Sequence, residues 1–330
     1  MKQARLTVAM FKDPKFILLG ILIGFTVIFS ILSPSFFQVE NFYNMFKQSA
    51  MIIITASGAT LLMMTGNFDL STGSNLAFAS MLYTLLATHG VPMFLSAIAG
   101  LLCGVCFGII NGTLIVRYNL PPFIATLGMM YVGRGLTLIA CDGKSIRTNI
   151  PEHFDFLAHG TVFGVPLAVL FIIAFAVIFW FVQTRTLLGK YALAIGGNKN
   201  AAFFSGINAG AVIFWLYIIV GILAAFSGLM TASRIGAGDP RSGESFFFDV
   251  IVAILLGGTS LKGGKGTVAG TLLGALVVTV LGNGLDMVNV LPFWQQVLKG
   301  VILVLAVLMN EKLFSRDHKK VLVPRAVTTT

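Results

Sequence analysis

The chain has 330 residues, of which 57% are hydrophobic and only 10% charged, with a formal net charge of +10 and a mean hydropathy of +0.93. A water-soluble domain carries about 25% charged residues to cover its surface, so this composition excludes a soluble enzyme and requires a protein that crosses a membrane several times. In a soluble protein the basic excess would suggest nucleic acid. Here it fits the lysines and arginines that collect in cytoplasmic loops, and no nucleic-acid partner is expected.

The first apolar run, 16–32, follows Lys2, Arg5, Lys12 and Lys15. No Ala-x-Ala-like cleavage site comes after it, so the reading is an uncleaved first span rather than a signal peptide. A spanning helix takes ~20 mostly apolar residues, and 16–33, 48–65, 93–116, 122–140, 162–183, 211–232, 267–285 and 293–311 meet that measure. Two further apolar segments, 75–88 and 246–258, are short for a full crossing. Together they predict an all-α integral membrane protein of about ten transmembrane helices. It would have a cytoplasmic N-terminus over 1–15, a membrane domain over 16–311 and a loosely ordered basic cytoplasmic tail over 312–330.

The basic residues agree with that count. The inner segments would hold Lys2, Arg5, Lys12, Lys15, Arg117, Arg185, Lys190, Lys199, Lys262, Lys265, Lys312, Arg316, Lys319, Lys320 and Arg325. The outer ones would hold Lys47, Lys144, Arg147, Arg234 and Arg241, with Arg134 and Lys299 inside spans. Fifteen against five follows the positive-inside rule, and dropping one short segment would invert half the loops and spoil it.

Shifted by 170 residues, the chain matches itself. Ser57-Gly58 falls on Ser227-Gly228, Gly66 on Gly236, Asp69 on Asp239, Gly73 on Gly243, and Pro122-Phe123 on Pro292-Phe293. Gly100, Gly104 and Gly112 fall on Gly270, Gly274 and Gly282. A displacement of five spans reverses orientation, so the expectation is an inverted 5+5 repeat of the kind that alternates access around a midplane site. The short segments 75–88 and 246–258 occupy equivalent places in it. The glycines four apart, Gly100–Gly104–Gly108–Gly112 and Gly266–Gly270–Gly274, read as close helix packing within one chain.

Polar residues inside an apolar frame are costly and need a reason. The densest run is 66–75, GNFDLSTGSN, where Asp69 could cap a helix beginning near Ser71 or border a passage through an interrupted helix. The substrate-path candidates are Asn67, Asp69, Ser71, Ser74, Asn75, Asn111, Asn283 and Gln295. Their amides and hydroxyls suit an uncharged polyhydroxylated solute, since they donate and accept without net charge. Arg134 reads as paired or reaching the interface rather than holding an anion.

Enzymatic and metal chemistry find little footing. The three cysteines argue against a disulfide framework, and Cys103 and Cys106 form a C-x-x-C within an apolar helix without metal-type partners. His89, His153, His159 and His318 lie in loops or the tail, without ligand spacing. The run 257–267, GGTSLKGGKGT, fails the P-loop pattern because Gly264 stands where Lys is required. No cofactor is expected on this chain, and any ATP-driven step would need ATP–Mg on a separate ATPase. The loop 184–210 should carry a short helix from near Asn198 to Gly206 by the capping rules.

Taken together, GNFDLSTGS at 66–74, PPFIATLG at 121–128 with Arg134-Gly135, and LGKYALAIGGN at 188–198 with Ala201-Ala202 and Ser205-Gly206-Ile207 resemble a known family. So do Ala232-Ser233-Arg234, DVIVAILLGGTSLKGGKG at 249–266, and Asn283-Gly284-Leu285 with FWQQVLKG at 293–300. The chain is similar throughout to the permease subunits of bacterial ABC importers for monosaccharides, the ribose/xylose/arabinose/galactoside type. The resemblance implies the ABC importer permease fold, a second permease chain forming a homodimer, a cytoplasmic ABC ATPase, a periplasmic sugar-binding protein and surrounding inner-membrane lipid. It places ATPase coupling on Gly189, Gly196, Gly197, Asn198, Ala201, Ala202 and Gly206. Two departures stand out: Asn67-Phe68 where Gly-Ile is frequent, and Lys190 where Arg is common. The alternative reading is an ion-coupled secondary transporter of a small neutral solute, disfavoured by the scarcity of intramembrane acids.

Overall fold

Nearly every apolar segment becomes a helix in the computed structural model, which describes residues 14–321, with side chains from 16 to 308. Lys2, Arg5, Lys12 and Arg325 lie outside the described residues. In chain order the elements are α1 (Pro14–Leu32), a 3-10 turn (Pro34–Phe37), α2 (Val39–Met64), α3 (Thr72–Thr88), α4 (Met93–Val116) and α5 (Pro122–Ala140). A short α6 (Phe156–His159) and the strands β1 (Thr161–Val162) and β2 (Val165–Pro166) lead to α7 (Leu167–Arg185). Then come α8 (Leu187–Gly197), α9 (Lys199–Phe204), α10 (Ala209–Ile235), α11 (Phe246–Leu256), α12 (Val268–Met287) and α13 (Pro292–Val321).

Six of these, α2, α4, α5, α7, α10 and α12, are long and apolar enough to cross a membrane. Their large exposed side chains, such as Ile139, Ile173 and Trp180, form a surface that lipid or another apolar partner must cover. The 11 residues of α11 rise only about 16 Å at 1.5 Å each, half of the roughly 30 Å hydrocarbon layer.

Some boundaries differ from the sequence reading. Residues 162–166, taken into the span 162–183, instead join Thr161 in a two-stranded hairpin turned by Phe163 and Gly164, both at positive φ. The last helix continues to Val321, past the expected end at 311 and into the tail expected to be loosely ordered. α2 begins at Val39 rather than 48, and Gly266 precedes α12 instead of joining its glycine stripe. LLGKYALAIGG reads as a loop because three of its eleven residues are glycine, yet it folds as a full helix, α8.

α2 is the axis of the molecule. Every residue from Ser49 to Thr65 is buried, on all faces of the helix, which is the mark of a fully enclosed segment. Around it pack α7, α10, α11 and α12. Hydroxyls pin these neighbours: Thr55 bonds Ser227 of α10 at 2.9 Å, and Thr60 bonds Thr271 of α12 at 2.7 Å. α4 lies along α10 with Gly104 against the Gly221 backbone and Gly108 against Ile218, while Gly270 and Gly274 seat α12 on Gly257 and Ala253. Small residues here allow backbone contact, supplying dispersion where lipid gives no hydrophobic drive. Both glycine rows thus pack helices of the same chain.

Candidate functional site

The Asp69 turn is built from α2 outward. α2 ends at Thr65, whose hydroxyl bonds Leu62 O at 2.6 Å, and Gly66 takes the left-handed backbone (φ 81) that stops the helix. Asn67 donates to the Thr65 hydroxyl at 2.9 Å. One Asp69 oxygen accepts from the Ser71 N–H at 2.8 Å and the Ser71 hydroxyl at 2.6 Å, an Asx turn. The carboxylate therefore does not cap α3; it closes the turn just ahead of it. Asn111 of α4 reaches in, donating to Ser71 Oγ at 2.8 Å and to Asp69 at 3.3 Å. From α10, Tyr217 donates its hydroxyl to Phe68 O at 3.0 Å, while Gly221 O accepts from Asn75 at 2.9 Å. Ser74 donates to Ser71 O at 3.0 Å.

Six of the eight predicted path residues, Asn67, Asp69, Ser71, Ser74, Asn75 and Asn111, thus meet in one buried cluster that braces the α2–α3 turn against α4 and α10. Most of their bonds go to one another. Asn67 also borders a cavity of about 280 Å³ with Thr65, Asn119 and Lys199, and Ser74 borders another of about 150 Å³. The remaining two stand apart. Asn283 exchanges hydrogen bonds of 2.7 and 2.9 Å with Asn41, joining α12 to the start of α2, and Gln295 donates to Asp286 at 2.8 Å across the α12–α13 turn. Replacing Asn111 by Leu strips the buried Asp69–Ser71 pair of its amide donor. It should lower unfolding stability in detergent by about 1–3 kcal/mol, while Gln295→Ala, at a partly exposed turn, should be near neutral in the same thermal melt.

The second half carries a matching turn. Gly236 ends α10 in the left-handed region (φ 65), and Asp239 accepts from the Arg241 N–H at 2.9 Å. These are the positions 170 residues after Gly66, Asp69 and Ser71. Gly73 and Gly243, also 170 apart, lie backbone to backbone, so closely that a Cβ on either would strike the other's carbonyl oxygen. Beside this contact the 150 Å³ pocket is lined by Gly73, Ser74, Met130, Tyr131, Arg134, Gly243, Glu244 and Phe247. Arg134 is paired, bonding Glu244 and Pro240 O.

Sequence reasoning left out Asp249, which takes the Lys299 ammonium at 2.8 Å between α11 and α13. The signal was there: an ammonium inside an apolar segment calls for an acid. Fifty residues of separation hid which one. Gln183, a polar residue with no marking motif around it, donates to Gly266 O at 2.9 Å and accepts from Val268 N at 2.8 Å, fixing α7 to the start of α12. Among the described residues no group of three or more His, Cys, Asp or Glu could hold a metal ion.

The segment after α7 is two helices in sequence. Gly189 lets α8 turn against Gln183, and Asn198 caps α9 by accepting from Ala201 N at 3.0 Å, as the capping rules anticipate. Ala202 is buried, Gly197 and Ala201 are exposed, and Gly206 (φ 80) ends α9. Gly196 is the seat of the pair: a Cβ there would strike Met64 O and Gly264 N, and Gly264 N itself donates to Met64 O at 2.9 Å. Three backbones therefore meet, from α8, from the end of α2 just before the Asp69 turn, and from the glycine-rich 257–267 loop. The opposite face of α9 leaves Phe203 and Phe204 exposed at 72% and 87%.

The family described as the permease component of branched-chain amino acid transport systems matches residues 41–307. The ribose import permease RbsC of Bacillus subtilis is 40% identical over 288 residues, covering 87% of this chain and 89% of that one. The ribose import permease RbsC of Escherichia coli K12 is 35% identical, with 86% and 90% covered. The D-allose transport system permease AlsC of the same strain is 36% identical, with 89% and 90% covered. No solved structure matches. With the family model matching 41–307 and relatives 35–40% identical along almost the whole chain, the chain belongs to this family of transport-system permeases.

Proposed function

We propose that the chain is the membrane subunit of an ABC importer that passes a monosaccharide or similar polyol from periplasm to cytoplasm across the inner membrane. The observation that carries this reading is the 35–40% identity to ribose and allose import permeases over nearly nine-tenths of the chain. A separate ABC ATPase holds ATP–Mg, a periplasmic sugar-binding protein delivers the solute, and a second copy of this chain completes the passage. No cofactor sits on the permease itself.

Ten spans with both termini cytoplasmic, arranged as an inverted 5+5 repeat, suit the geometry. The two Asx turns, the two left-handed glycines and the Gly73–Gly243 contact all stand 170 residues apart, as a pseudo-twofold axis through that contact requires. In this arrangement α8 and α9 lie on the cytoplasmic face, and the exposed Phe203–Phe204 pair is the apolar knob the ATPase takes. Gly189, Gly197, Asn198, Ala201, Ala202 and Gly206 shape that knob, and Gly196 passes its movement to the Asp69 turn. Asn67 and Ser74, on cavity walls, are the predicted path residues placed to meet solute. Asp69, Ser71, Asn75 and Asn111 hold the turn that presents them. Asn283 and Gln295 act at helix contacts.

Two measurements test this. A cysteine at position 198 in an otherwise cysteine-free chain should react with a membrane-impermeant maleimide in inside-out vesicles and stay unreacted in right-side-out ones; the reverse pattern overturns the topology. The reconstituted importer should take up D-ribose, D-allose or L-arabinose only with ATP. Uptake of L-leucine and none of the sugars would return the substrate class to the branched-chain amino acids of the family description.

A further inference from the structure

Arg134 sits six residues before the end of α5, about 9 Å along the helix, with its pair to Glu244 partly open: the two side chains are 25% and 54% exposed. A charged pair on a helix flanked by exposed Tyr131, Val132 and Leu136 cannot face hydrocarbon without a cost of several kcal/mol. That face therefore looks onto water or a polar partner, although it lies within an apolar segment. Directly beside it is the 150 Å³ pocket, with the touching Gly73 and Gly243 as its floor. Its walls combine the Tyr131 ring, 69% exposed, with Phe247, Ser74 and the Arg134–Glu244 pair.

Resting on the importer reading above, we propose that Tyr131, Arg134 and Glu244 form a transit site that contacts the sugar ring during passage. The chemistry is specific. One Glu244 oxygen is engaged by Arg134, and the other, without a protein partner among the described residues, can accept from a solute hydroxyl. With Nη1 on Pro240 O and Nη2 on Glu244, the guanidinium keeps its remaining N–H donors for a ring oxygen, and bonds to charged groups are about twice as strong as neutral ones. An exposed aromatic face meets the C–H face of a pyranose. The ion pair is neutral overall, so it does not select for an anion or a cation. The pocket's size suits one ring rather than a chain of them.

The test uses the complete importer, permease with ATPase and binding protein, in proteoliposomes, with D-ribose, D-allose and L-arabinose as probes. Tyr131→Ala and Glu244→Gln should each cut uptake about tenfold or more, and Glu244→Gln should change the ratio among the three sugars, which a merely structural residue would not do. Ile139→Ala, exposed on the same helix outside the pocket, should keep both rate and ratio. If both site variants stay within about twofold of wild type in rate and ratio, the site is overturned. If Tyr131→Ala does not assemble, the isosteric Glu244→Gln decides on the same criterion. If the unmodified importer moves none of the three sugars, the function reading falls, and this site with it.

Discussion

Gly196→Ala should abolish productive coupling: the reconstituted importer keeps hydrolysing ATP, yet sugar uptake drops by at least about tenfold. The added methyl has no room, because the atoms it meets are backbone, Met64 O on one side and Gly264 N on the other. Backbone cannot rotate aside as a side chain tip can, so α8 must lift from the end of α2 and open the Gly264–Met64 hydrogen bond. Overpacking of this kind costs about 1–3 kcal/mol. The consequence for transport is larger than that figure suggests, since the same three-backbone junction, at Met64, stands three residues before Asn67 and five before Asp69. On the proposed coupling role of α8 and α9, their motion would reach the Asp69 turn through this junction, and loosening it should uncouple the two. Gly24→Ala, where the new methyl meets nothing within 4 Å, is the matched control and should transport normally. Equal uptake by both variants would show that the junction carries no motion.

Lys299→Met should give the largest loss of stability among single substitutions on the outer helices, about 3–5 kcal/mol in unfolding free energy. Lys299 places its ammonium within 2.8 and 3.0 Å of the two Asp249 oxygens, with the carboxylate side chain only 13% exposed. The pair joins α13 to α11, whose eleven residues are too few to hold their own position by length. Removing the cation leaves a carboxylate in an apolar surround with no counterion. The double variant Asp249→Asn with Lys299→Met removes both charges and should recover most of the loss, because its members are neutral and nearly isosteric with the originals. A thermal double-mutant cycle in nanodiscs reads the coupling directly. Additive losses from the two single changes would mean that the ion pair does not hold α11.

Local chemistry made much of the molecule legible. Asn198 announced a helix start and caps one; Gly206 announced that helix's end and is found there in the left-handed region; the apolar segments fold as helices, apart from the hairpin at the start of 162–183. These features depend on one residue and its near neighbours in sequence. α8 does not read as a helix for the same reason, since glycine content lowers helix propensity; packing against α2, α7, α10 and the 257–267 loop holds it helical. The sequence marks the Asp69 run as the dense polar point and leaves a cap and a passage both open; the structure shows Asp69 bonded to Ser71 and Asn111 within the turn. Alternation and spacing tell that a hydroxyl or amide is inside the membrane, not whether it faces a cavity or another amide.

Hydropathy, basic-residue placement and turn residues by themselves determined that this is a polytopic helical membrane protein. Tertiary structure alone decided that Asn283 is spent on Asn41, 242 residues away, that Asp249 answers Lys299, and that Gly73 and Gly243 touch beside an Arg134–Glu244 pocket. The reason is physical. Helix formation follows from hydrogen bonds four residues apart and can be read along the chain, whereas the partner of a polar side chain is set by which helix faces approach, and that is fixed by close packing of many small contacts across the whole bundle.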